Sequence, residues 1–252
     1  MTRIVTVHSF RRGVGKSTLA ANLAALLTQR GRRVGLVDAD FQAPSLHILT
    51  GLPENEISAT LNDYLQGRSD APYPATHDLT ARLGINAPGY LCLTPASTRV
   101  AEIMHMLRNA CDFDRFHEGL QAMAEAHQLD MLVIDSMAGL NEDTLQTIAM
   151  AHTLIEILRP EQQDYQGTAV TVEVARTLQV PRTLLVLNDA PPTLDIQSAW
   201  AELAQTYHCE VGAILPYSYL LTSLASSAIF VLRFPDEVFT QKLRTLAQQV
   251  DA

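Results

Sequence analysis

The chain has 252 residues, 47% of them apolar and 18% charged, with a formal net charge of −9. It is too apolar for intrinsic disorder, and no apolar run approaches the ~20 residues of a membrane-spanning helix. An acidic chain whose 18 basic residues include only two lysines, Lys16 and Lys242, is poorly suited to binding nucleic acid over its whole surface.

Met1-Thr2-Arg3 runs straight into the apolar residues 4–8, which read as a first strand and not as a signal peptide. Further continuous apolar runs at 34–37, 91–94, 131–134, 154–158, 183–187 and 211–215 predict strands covered on both faces. Helical periodicity fills the gaps. Residues 17–30 place Leu19, Leu23, Leu26 and Leu27 on one stripe and stop at Gly31. Similar patterns occur at 102–107, 116–127, 168–178, 196–207 and 238–250. The alternation predicts an α/β fold, a doubly wound and mostly parallel sheet flanked by helices, as one domain over residues 1–252. Residues 67–89, rich in Pro, Ala, Gly and Thr, read as a surface excursion, and residues 164–168 as the start of a helix without chemistry. Cys92, Cys111 and Cys209 are odd in number and widely spaced, which fits a reducing cytosol.

The first strand leads into Ser9-Phe10-Arg11-Arg12-Gly13-Val14-Gly15-Lys16-Ser17-Thr18 and then a helix, the context of a phosphate-binding loop. Glycines at 13 and 15 let backbone N–H groups around Arg12, Gly13, Val14 and Gly15 turn toward phosphate oxygens, and the helix N-terminus adds its positive dipole end. Lys16 supplies a charge for the β- and γ-phosphates, Ser17 a hydroxyl for Mg²⁺, and Thr18 a contact to the α-phosphate. Carboxylates end two of the apolar runs, Asp38 and Asp40 after the second and Asp135 after the fourth. There they can hold the water shell of a metal or orient a water. The competing reading for each is a helix cap or turn residue.

Phe10 stands where the standard loop has glycine, and the segment resembles the deviant Walker A loop of the MinD/ParA ATPases, K-G-G-x-G-K-[ST]. The signature lysine of that pattern, which reaches the partner's nucleotide across a dimer, is Arg11 here, and the next glycine is Arg12. Arginine keeps the charge and could act in trans, while a pair of solvated loop residues is the plainer reading. By the same resemblance, Asp38 and Asp40 match the switch I aspartates, with Asp40 positioning water. Asp135-Ser136-Met137-Ala138-Gly139 matches switch II, D-x-P-A-G, with Met137 for proline. Asp135 would anchor a metal-bound water and the Gly139 N–H would sense the γ-phosphate. Asn188 and the backbone at Pro216 and Tyr217 would read adenine.

The resemblance implies ATP and Mg²⁺ as ligands, an ATP-dependent homodimer that sandwiches two nucleotides, and hydrolysis that releases the monomers. It also implies an adaptor or activator protein and cargo such as DNA, division machinery or an organelle, a carboxysome among them. Non-specific nucleoid DNA is a candidate partner only if the arginines cluster locally. Phe239, Leu243, Leu246 and Val250 read as core contacts, so no membrane anchor is expected and the location is cytoplasmic. The alternatives are a nucleotide-dependent scaffold that does not hydrolyse, and a metal-cluster maturation ATPase, which would want a cysteine pair that the sequence lacks.

Overall fold

Runs of Val, Ile and Leu without polar alternation bury both faces of a strand, and helices must cover the two sides. The computed structural model describes residues 2–69, 71, 73–109 and 111–252. Among them one sheet is built from β1 (Arg3–His8), β2 (Arg33–Ala39), β3 (His77–Asp78), β4 (Tyr90–Thr94), β5 (Met131–Ser136), β6 (Thr153–Leu158), β7 (Arg182–Ala190) and β8 (Glu210–Pro216). The spatial order is β3-β4-β2-β5-β1-β6-β7-β8, and every pairing is parallel except β3 on β4. The expected α/β, doubly wound architecture is therefore present.

The helices are α1 (Lys16–Gln29), α2 (Leu46–Leu49), α3 (Leu61–Leu65), α4 (Val100–Arg108), α5 (Phe113–Ala126), α6 (Glu142–Ala149), α7 (Gln162–Thr177), α8 (Ile196–Tyr207), α9 (Tyr219–Leu224), α10 (Phe230–Arg233) and α11 (Val238–Asp251). In α1 the four stripe leucines are buried, as are Ala20, Ala21, Ala24 and Ala25 on its other faces. Leu243, Leu246 and Val250 of α11 join them in one apolar cluster, so α1 is enclosed on its outer side as well. Gly31 ends the helix with φ +91°, a left-handed conformation that glycine adopts without penalty. On the opposite face, Phe116, Leu120 and Met123 of α5 pack over Ile4 of β1, Val37 of β2 and Leu132 of β5.

The stretch 67–89 is more than a surface excursion. It carries the antiparallel edge strand β3, and Leu79 and Ile85 are buried in the same cluster as α1. A two-residue strand shows no period, so nothing in the sequence marked it. The helical pattern at 164–168 likewise begins earlier, at Gln162, behind Glu161.

Leu243 has no exposed surface. Leu243→Ala is expected to destabilise the chain by about 2–5 kcal/mol in a denaturant titration, whereas a helix lying on a membrane surface would leave that value unchanged.

Candidate functional site

In a parallel sheet the strands end on one edge, where ligands collect at the point from which neighbouring connections diverge. Here β1 is flanked by β5 and β6, with β2 beyond β5, so the loop after β1 lies between the ends of all three. Gly13 and Gly15 hold φ of +79° and +106°. A Cβ at Gly15 would stand 2.7 Å from Asn188 Nδ2, so close approach also requires glycine there. Helix α1 starts at Lys16 with no side-chain cap and no acidic residue in its first turn. Its first N–H groups therefore have no intrahelical acceptor and point to an anion.

Asp38 and Asp135 are register partners on β2 and β5, and neither is exposed. Asp38 accepts from the Ser45 and Leu46 N–H groups at 3.0 and 3.1 Å. Burial nevertheless pushes it well above the usual carboxylate range, with Asp135 adding repulsion. Neither oxygen of Asp135 has a hydrogen-bond partner of good geometry among the described residues. Burial pushes its carboxyl up to about 7, and the Ser17 hydroxyl and Lys16 ammonium only partly counter that. Lys16 itself is only 6% exposed. Unpartnered acidic oxygens beside a serine hydroxyl, below an uncapped helix N-terminus, fit a magnesium-bound nucleotide in both charge and donor type. Ser17 and Asp135, with Asp38 behind them, are the residues that would hold the metal.

Asp40 turns back on its own segment, accepting from Gln42 and Ala43 N–H at 3.3 and 3.1 Å. Gly139 has φ +80°, and its N–H donates to the Ser9 carbonyl at 3.0 Å. That donor thus reaches β1's end in place of a phosphate. Arg11 is held within its own chain: Nη1 lies 2.8 Å from Glu161 Oε2 and 2.9 Å from Asp164 Oδ1. Arg12 donates to the Gln42 side chain. Phe10 lies across α7 so closely that a Cβ at Gly167 would collide with its ring.

Beside the loop, a cavity of about 210 Å³ is lined by Gly15, Thr18, Arg159, Asn188, Leu215 and Thr222, among others. Asn188 donates to the Val14 carbonyl at 2.8 Å, and its Oδ1 is buried without a partner, free to face a ligand. Pro216 and Tyr217 line no part of this cavity, and Tyr217 is 53% exposed. Leu215 and Thr222 do line it, and so do Leu221 of α9 and Phe239 of α11. A larger cavity of about 770 Å³ opens at the other edge of the sheet, near Thr2, Leu132 and His152, away from all of these groups. Asp164, read only as part of a helix entry, and Glu161, not singled out, are the partners of Arg11 that sequence reasoning missed. A pair of acids three residues apart at the start of a helix was the available signal.

The profile of the CobQ/CobB/MinD/ParA nucleotide binding domain matches residues 5–218. The chain belongs to that family. The antiactivator FleN of Pseudomonas aeruginosa is 23% identical over 260 residues, covering 99% of this chain and 86% of FleN. An uncharacterized ATP-binding protein of Methanocaldococcus jannaschii is 28% identical over 178 residues, 71% of this chain. That match spans only 61% of the archaeal protein's own length. Among solved structures, the septum site-determining protein MinD of Pyrococcus horikoshii, complexed with Mg-ADP, superposes with a TM-score of 0.78 at 22% identity. The superposition covers 100% of this chain and 96% of that one. The MinD/ParA resemblance of the loop thus extends to the family as a whole, a family of nucleotide-binding ATPases.

Asp135 moves from an ordinary 3.8 in the unfolded chain to about 7 in the folded one. Between those values the folded chain keeps a proton that the unfolded chain has lost, so this group's contribution to stability falls as pH rises. Asp135→Asn removes that dependence. Without nucleotide, the variant's melting temperature is expected to exceed wild type by a margin that grows from about pH 4 to about pH 7. A constant margin is the contrary result.

Proposed function

We propose that this chain is an ATP-hydrolysing switch, in which two copies sandwich two nucleotides across the phosphate loops and hydrolysis returns them to monomers. A partner protein reads the two states and positions intracellular cargo. The observation that carries this reading is the grouping of Lys16, Ser17, Asp38 and Asp135 beneath an uncapped helix N-terminus.

In this reading the backbone of residues 12–15 cradles the phosphates and Lys16 steadies the charge that builds on the γ-phosphoryl oxygens. Asp40 orients the water that attacks the γ-phosphorus as the bond to the β-phosphate oxygen breaks. Ser17 and Asp135 would hold magnesium, which would supply further neutralisation of the phosphate charge. Gly139 leaves the Ser9 carbonyl and donates to the γ-phosphate, which makes switch II the bistable element. Arg11 leaves Glu161 and Asp164 and reaches the partner's nucleotide. Asn188 and the cavity wall take the base.

Cluster maturation finds little support in the cysteines. Cys92 and Cys111 are buried, and burial pushes each thiol up to about 12, so neither is an accessible thiolate. Among the described residues, ten of the 16 arginines pair with a carboxylate of the chain, and three of them, Arg3, Arg30 and Arg32, share Asp251.

Steady-state ATPase assays with Mg²⁺ test the reading. Lys16→Ala is expected to lower turnover by at least about 10²-fold. Arg11→Ala is expected to lower turnover by about 10³-fold and to abolish the ATP-dependent dimer in light scattering. Unchanged turnover and dimerisation in Arg11→Ala would refute the trans role, and absence of wild-type turnover under every condition would favour the scaffold.

A further inference from the structure

The last residue of β1 is a histidine with no exposed surface, and the residue opposite it on β6, Glu156, is buried to the same extent. Buried ionisable groups are costly unless they find partners. These two meet because the parallel register of β1 and β6 places His8 beside Glu156. Nδ1 of His8 lies 2.7 Å from Glu156 Oε2, and Nε2 lies 2.9 Å from the Gly139 carbonyl oxygen. A carbonyl oxygen only accepts, so Nε2 carries a proton. The short contact at Nδ1 needs a second proton between ring and carboxyl. The pair therefore holds two protons and is neutral overall, whichever heavy atom carries the second.

Gly139 is thereby tied twice to the end of one strand. Its N–H donates to the Ser9 carbonyl, and its carbonyl accepts from His8, with φ at +80°. Moving Gly139 as a whole toward a phosphate, N–H and carbonyl together, breaks both bonds. The ring cannot follow freely, because Glu156 fixes it from the other side.

We infer that His8, oriented by Glu156, is a positioning residue that clasps switch II at Gly139 and so sets how strongly the site prefers ATP over ADP. This rests on the switch reading above and adds to it a pair of residues that the reading does not require. Loosening the clasp favours the state in which Gly139 faces the γ-phosphate, and it leaves ADP, which has no γ-phosphate, unaffected.

The test compares affinities of the full chain for fluorescent ADP and for a non-hydrolysable ATP analogue, both with Mg²⁺. His8→Ala is expected to raise analogue affinity relative to ADP by about two- to tenfold, the worth of one hydrogen bond. His8→Gln, whose amide nitrogen can reach the Nε2 position, is expected to restore the wild-type ratio. An unchanged ratio in His8→Ala, a lowered one, or an equal shift in the Gln variant overturns the inference. Should His8→Ala not fold, Glu156→Gln decides: its ratio is expected to move the same way by about twofold, and an unmoved ratio is the contrary result. If wild type binds neither nucleotide, the switch reading itself fails. The clasp is then judged by exchange of the Gly139 amide, expected to be faster in Glu156→Gln than in wild type and equal if the clasp does not exist.

Discussion

Two aspartates face each other at the ends of neighbouring strands, Asp38 on β2 and Asp135 on β5, both sealed from solvent, with Lys16 acting on Asp135. Burying an ionised carboxylate costs several kcal/mol, and a backbone N–H donor returns about 1–3 kcal/mol. Asp38 has three such donors, the N–H groups of Asp40, Ser45 and Leu46, and Asp135 has no donor of good geometry among the described residues. The sum leaves the pair short of compensation, which is why both carboxyls shift upward. A proton or added positive charge closes the gap. The strand order, the uncapped start of α1 and the position of Ser17 all serve to bring that charge to one place.

The phosphate loop is also tied to one neighbour in particular. The last residue of β1 and two residues of the loop find their match on the β6–α7 unit: His8 against Glu156, Phe10 against Gly167, and Arg11 against Glu161 and Asp164. One match is a neutralised buried pair, one is close packing that only glycine permits, and one is a half-exposed ion pair. They differ in strength accordingly. The Arg11–Glu161 contact lies near solvent, where an ion pair is worth about 0–1 kcal/mol, while Asp164 is buried and keeps the Arg159 N–H as a donor when Arg11 leaves. The His8 contact is fully buried and resists release. A loop built this way can free its outer arginine while its inner wall stays in place.

Much of this was legible beforehand for a simple reason. Continuous apolar runs, a Gly-Lys-Ser turn after a strand, and acids at strand ends are local patterns whose chemistry does not depend on distant residues. Hence Lys16 and Ser17 were readable from the loop itself, and Asp38, Asp40 and Asp135 only together with it, since a single acid at a strand end also suits a cap or a turn. The edge strand β3 was not, because two residues carry no period. The partners of Arg11 were not, because a contact between positions 11 and 164 has no trace in either segment alone. The part of α9 and α11 in the cavity beside Asn188 was not readable either, because Leu221, Thr222 and Phe239 reach it only when those helices fold back.

What the sequence determined by itself was the α/β architecture and the chemical identity of the candidate site groups, because periodicity and motif spacing are properties of short segments. The tertiary structure decided how those groups are held. Asp38 is set against Asp135 by the β2–β5 register, Glu156 against His8 by the β1–β6 register, and Arg11 against its own α7. Strand register and helix docking set these distances, and the energy of a buried charge depends on what lies within a few ångströms of it. No segment read alone contains that information.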